Sequence, residues 1–140
     1  MDPVRPYTEV LDRLKSAGLR PTRQRLALAK LLADSGDRHI TAEQLHDEAQ
    51  RAGVRVSLAT VYNTLHQFTA AGLLREVVVE AGRSYFDTNT SNHHHFFHQD
   101  RGELVDIPAG AVTVSELPVA PEGSAIESVH VVVRIRDDAN

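Results

Sequence analysis

The sequence predicts an α+β protein, with an amino-terminal winged helix-turn-helix domain over residues 1–88 and a small α/β dimerisation domain over residues 89–140. Three observations predict it. Helical apolar periodicity recurs four times before residue 72, each time closed by a glycine. Two alternating apolar stretches then flank a two-residue turn, and from residue 94 onward the pattern changes to short strands.

The elements follow in order. "YTEVLDRLKSAGL" sets Val10, Leu11 and Leu14 on one helical face, with Gly18 as the stop. In "PTRQRLALAKLLADSG", Thr22 caps a second helix whose stripe is Leu26, Ala29, Leu32 and Ala33, ending at Gly36. Thr41 and Gln44 have capping-box spacing for a third helix that runs to Gly53. Ser57 caps a fourth, with Val61, Leu65 and Phe68 as its stripe and an end near Gly72. "LLREVVVE" and "RSYFDTN" read as two strands around a turn at Ala81 and Gly82.

The fourth helix contains no charged residue. Surface helices usually carry charge, so the outward set Ser57, Thr60, Asn63, Thr64 and Gln67 suits hydrogen bonding to something other than water; an ordinary half-buried helix is the competing reading. In a winged helix this element lies in the major groove of double-stranded DNA, while basic side chains hold phosphates. Arg20, Arg23, Arg25 and the wing-tip Arg83 are the candidates, each of them individually also readable as a solvated surface charge.

Charge is divided along the chain. Residues 1–33 carry seven basic side chains and three acidic ones, whereas residues 89–140 carry three basic and eight acidic. The overall charge of −4 therefore leaves a polyanion open as partner for the amino-terminal part. No apolar run reaches the length of a membrane span and no signal-peptide pattern opens the chain, so a soluble, cytoplasmic protein is expected. There is no cysteine, which excludes disulfides, iron–sulfur clusters and thiolate-bound zinc; any metal must use imidazole and oxygen.

"NHHHFFHQD" then raises the question of a metal. In an extended segment His93 and His95 share one face and His94 turns to the other. Asp87, Asp106 and His39 are candidate further ligands, a mixed nitrogen and oxygen set that suits iron(II), manganese or zinc. The competing reading is an exposed polar loop or histidines bonded to backbone. His46 and His66 stay with that reading, and His98 and His130 are intermediate. Beyond the cluster, "GELVDI" and "AIESVHVVVRI" read as strands, joined by a connector rich in proline and glycine that carries a short helix or irregular structure. So small a unit gains from pairing through its last strand, and a homodimer is expected.

The strings "GLRPTRQRL", "HITAEQLHDEA", "VSLATVYNTLHQFTAAGLL", "GRSYFDTN" and "HHHFF" resemble the ferric uptake regulator family over residues 10 to 136, most closely its iron response regulator (Irr) branch. The resemblance implies a dimeric winged-helix transcription repressor or regulator of iron homeostasis. It implies a recognition helix from Ser57 with Tyr62 as a DNA-contacting residue, Asn63 where many members have arginine, and Arg25 at a DNA-contacting basic position. It implies a regulatory metal site from His39, Asp87, His93, His95 and Asp106, with aspartate at two places that usually hold glutamate. A second site would use His94 and His130, with Glu116 as its candidate carboxylate. His98 and Arg101 stand where relatives have the CxxC of a structural zinc, so that zinc is not expected. In the Irr branch the histidine motif is linked to haem, for which His93, His94 and His95 are the candidate ligands. Alternatives are a plain iron, manganese or zinc repressor, a peroxide sensor of the same family, and, in a different class, a small His/Asp metalloenzyme; no general base or substrate pocket is legible for the last.

Overall fold

Four helices form where caps and apolar spacings coincide. The computed structural model describes residues 5–80 and 82–138, and its helices are α1 (Arg5–Ser16), α2 (Arg23–Ala33), α3 (Ala42–Arg51) and α4 (Leu58–Ala70). Thr22 Oγ1 accepts from the Arg25 N–H at 3.1 Å, and Ser57 Oγ accepts from that of Thr60 at 3.1 Å. At α3 the capping box closes in both directions: the Gln44 N–H donates to Thr41 Oγ1 at 3.1 Å and the Thr41 N–H to Gln44 Oε1 at 2.9 Å. After α1, Gly18 takes φ +80°, and the Leu19 N–H reaches back to the Leu14 carbonyl at 2.9 Å. That 6→1 bond requires a left-handed residue, which glycine adopts without strain.

The chain divides into two units, Met1–Thr90 and Ser91–Asn140. The core of the first unit gathers Leu14, Leu28, Ile40, Leu45, Val61, Leu65, Phe68 and Phe86. Along α2 the buried residues are Leu28 and Leu32, while Ala33 is exposed, so the expected stripe is shifted. The reason is that α2 is apolar around most of its circumference, and its contacts with α1 and α3 decide which residues go inside.

Strands β1 (His39–Ile40), β2 (Arg75–Glu80) and β3 (Arg83–Asp87) form a sheet in the order β1-β3-β2, all antiparallel. The β2–β3 hairpin is the wing. Of its expected turn residues, Ala81 lies outside the described residues and Gly82 has φ +72°. Strand β1 was not legible as a strand, yet it sets the register His39↔Asp87.

In the second unit β4 (His95–His98) pairs antiparallel with β5 (Glu103–Asp106) and parallel with β6 (Val132–Ile135). A parallel partner needs a crossover rather than a tight turn, and the proline-bearing connector supplies it as irregular chain. The expected long last strand shortens to four residues because β4, its pairing partner, offers only four. Phe97, Leu104 and Ile107 are buried.

Candidate metal centre and nucleic-acid interface

Within the first unit the β1/β3 register brings His39 Nε2 to 3.2 Å from Asp87 Oδ2, and Asp87 is buried. The second Asp87 oxygen accepts the Asn89 N–H at 2.8 Å, which fixes the carboxylate plane. Within the second unit His95↔Asp106 is a register pair of β4 and β5. His93 Nε2 and His95 Nε2 lie 3.2 and 3.3 Å from the same atom, Asp106 Oδ1.

The protonation pattern is legible from the other ring nitrogens. His93 Nδ1 lies 2.8 Å from the Ser91 carbonyl oxygen, which can only accept, so the proton sits on Nδ1. His93 Nε2 faces the Asp106 carboxylate. A metal ion at this point would be held by the ring nitrogen and the carboxylate together. His95 Nδ1 lies 2.9 Å from His130 Nε2. His94 differs: its Nδ1 accepts the Val131 N–H at 2.9 Å, which leaves the proton on Nε2. Its ring stacks on that of His130 with centroids 6.1 Å apart. Glu116 is exposed in the connector.

A second group, His98, Asp100 and Asp137, has ligand atoms within 4.8 Å of one another. Here the Arg101 N–H donates to His98 Nδ1 at 3.2 Å, so Nε2–H donates to Asp137 Oδ1 at 3.0 Å. The Arg101 guanidinium holds the same oxygen at 3.2 Å, and the Asp137 N–H donates to Asp100 Oδ2 at 2.9 Å. A protonated Nε2 and a fixed guanidinium on the shared carboxylate oppose a cation. These four residues form a hydrogen-bonded clasp between the β4–β5 turn and the end of β6.

The candidate DNA face is built on α4. No acidic residue stands in its first turn, so no carboxylate of α4 itself offsets the positive end of the helix. Ser57 and Thr60 spend their hydroxyls partly on the cap, Ser57 Oγ donating to Thr60 Oγ1 at 2.9 Å. Asn63 is exposed. Arg25 Nε and Nη2 donate to Gln67 Oε1 at 3.2 and 2.9 Å, and Nη1 to the Arg20 carbonyl at 2.7 Å, so this arginine ties α2 to α4. Arg83 meets Glu80 Oε1 at 3.3 Å at the wing tip, and Arg20 and Arg23 are exposed. Tyr62 donates its hydroxyl proton to Glu43 Oε1 at 2.6 Å. Sequence reasoning missed Glu43 because 19 residues separate the pair and no local pattern joins them.

A winged helix with an uncharged recognition helix, accompanied by His/Asp groups of the kind that hold a divalent ion, defines a metal-responsive DNA-binding regulator. Residues 16–134 match the model of the ferric uptake regulator family. The chain belongs to that family, whose members are dimeric, DNA-binding, metal-sensing transcription regulators and not enzymes. It is 34% identical over 110 residues to the ferric uptake regulation protein of Vibrio anguillarum, covering 78% of this chain and 74% of that one. Among solved structures it is similar to the ferric uptake regulator of Pseudomonas aeruginosa with manganese, with a TM-score of 0.66, 27% identity, and coverage of 90% of this chain and 96% of that one. The Vibrio cholerae ferric uptake regulator, whose structure reveals rearrangement of the DNA-binding domains, gives a TM-score of 0.70 at 25% identity, covering 91% and 98%. Among the described residues no helix is long and apolar enough to cross a membrane.

Proposed function

We propose that the first unit binds promoter DNA through α4 and the wing, and that the second unit dimerises and senses a divalent metal. His93, His95 and Asp106 supply one set of ligands and His39 and Asp87 the other, five imidazole and carboxylate donors in all, suited to iron(II), manganese(II) or zinc(II). The observation that carries this reading is the convergence of His93 Nε2 and His95 Nε2 on one Asp106 oxygen, at 3.2 and 3.3 Å. A metal that binds the DNA-competent state of the dimer more tightly than the other state shifts the population toward DNA binding. Both steps suit a cytoplasmic protein.

The test is metal titration beside DNA binding. Replacing His93 and His95 by alanine is expected to remove manganese(II) binding and its effect on DNA affinity while leaving basal DNA binding. Metal affinity unchanged by the double substitution sinks the assignment.

The three consecutive histidines favour a second reading, the iron response regulator branch, in which haem is the signal. His94 keeps its proton on Nε2 and His95 is fully buried, so His93 is the histidine best placed to bind haem iron. Haem that reverses DNA binding, with a histidine-type absorption spectrum lost in His93→Ala, moves the chain to that branch. Indifference to haem beside strict metal dependence keeps it a plain metal-dependent repressor.

A further inference from the structure

Tyr62 is the fifth residue of α4, within the part of a recognition helix that faces base edges. Its ring packs on the core of the first unit and lies nearly parallel to that of His66, with centroids 6.5 Å apart and an interplanar angle of 19°. Its hydroxyl donates to Glu43 Oε1, on the first turn of α3, at 2.6 Å. The phenol is thus fixed along its face by one helix and at its tip by another.

A phenol has one proton to donate. With that proton held by a carboxylate, the oxygen offers an approaching ligand only a lone pair. Base edges in the major groove differ in this respect: adenine N6 and cytosine N4 are donors, whereas thymine O4 and guanine O6 and N7 are acceptors. We propose that Glu43 is a specificity-determining positioning residue: by holding the Tyr62 proton it makes Tyr62 an acceptor that selects an amino base, adenine or cytosine, over a keto base, guanine or thymine. The inference rests on the DNA reading given above. Glu43 acts a second way. Its exposed carboxylate repels phosphates on any sequence, and so lowers affinity without reading a base.

Substitution separates the two effects. Glu43→Gln keeps an acceptor for the phenol and removes the charge, Glu43→Asp keeps the charge but withdraws the acceptor by one methylene, and Glu43→Ala removes both. The full chain and these variants, with Tyr62→Phe, are each selected against a randomised duplex library, in parallel with manganese(II) and with a chelator. Tyr62→Phe identifies the base position concerned as the one whose preference relaxes. At that position the unmodified chain is expected to favour adenine or cytosine by roughly three- to tenfold, the worth of one hydrogen bond. Glu43→Ala and Glu43→Asp lose or invert the preference, and Glu43→Gln retains it while binding all sequences more tightly. A keto preference in the unmodified chain, an amino preference that survives both Glu43→Ala and Glu43→Asp, or no position responding to Tyr62→Phe overturns the proposal. Absence of any sequence preference in the unmodified chain brings down the DNA reading itself, and the proposal with it.

Discussion

Tyr62 and Glu43 hold each other in opposite protonation states. The hydrogen bond from Tyr62 lowers the Glu43 pKa below its ordinary 4.5, and the same bond raises the Tyr62 pKa above its ordinary 10.0. A carboxyl whose folded pKa is depressed stabilises the fold above its unfolded value and loses that contribution as pH falls through the folded one. A phenol whose folded pKa is raised contributes below its unfolded value and loses it as pH climbs through the folded one. The α3–α4 tie is therefore expected to hold across neutral pH and to weaken at both limits. Ultraviolet titration of the phenolates checks this: the step removed by Tyr62→Phe lies above 10.0 in the unmodified chain and falls toward it in Glu43→Ala. A Tyr62 step at the ordinary value in both proteins refutes the coupling.

Hydrogen bonds that join elements set the next level. Ser57 caps α4 through Thr60, and Ser57→Ala is expected to destabilise the first unit by about 1 kcal/mol in denaturant unfolding. Arg25 spends three donors inside the unit, so Arg25→Ala is expected to lower thermal stability as well as DNA affinity. A variant that loses DNA affinity with an unchanged melting temperature would show that the Gln67 tie contributes nothing. In the second unit His98, Asp100, Arg101 and Asp137 are tied together by hydrogen bonds. Asp137→Ala removes the acceptor of both His98 and Arg101 and is expected to destabilise this unit by about 1–3 kcal/mol. Chelators are expected to leave that difference unchanged; a loss reproduced by chelation alone would mean that the group holds metal after all.

At the scale of the whole molecule, the division of charge predicts how DNA binding responds to salt. Basic side chains concentrate in residues 1–33 and acidic ones in residues 89–140, so phosphate contacts are expected to fall to the first unit despite a net charge of −4. Arg23 is exposed on the first turn of α2, and Arg23→Ala is expected to weaken binding evenly across sequences. The slope of log K against log salt is expected to fall by about 0.9, the value of one phosphate contact. An unchanged slope removes Arg23 from the interface.

The helices were legible because their signals are local. A capping box spans four residues, a glycine stop one, and an amphipathic stripe repeats within two turns, so Thr41 with Gln44, Gly18, and Val61 with Leu65 could be read without knowing what packs against them. The candidate ligand types were legible for a similar reason: without cysteine, only histidine and carboxylates remain, and alternation along an extended segment puts His93 and His95 on one face, where both meet Asp106. What the chain could not reveal locally was decided by pairing at long range. Strand β1 has two residues and no periodicity, yet its register with β3 sets His39 against Asp87. His95 Nδ1 meets His130, 35 residues away, and the Tyr62 hydroxyl meets Glu43 on a neighbouring helix. The buried side of α2 followed from its neighbours, because a helix apolar on most sides has no preferred face until something packs on it. Caps and periods are properties of a few successive residues and so belong to the sequence; tautomers, registers and the direction in which a hydroxyl proton points depend on contacts that exist only once the chain has folded.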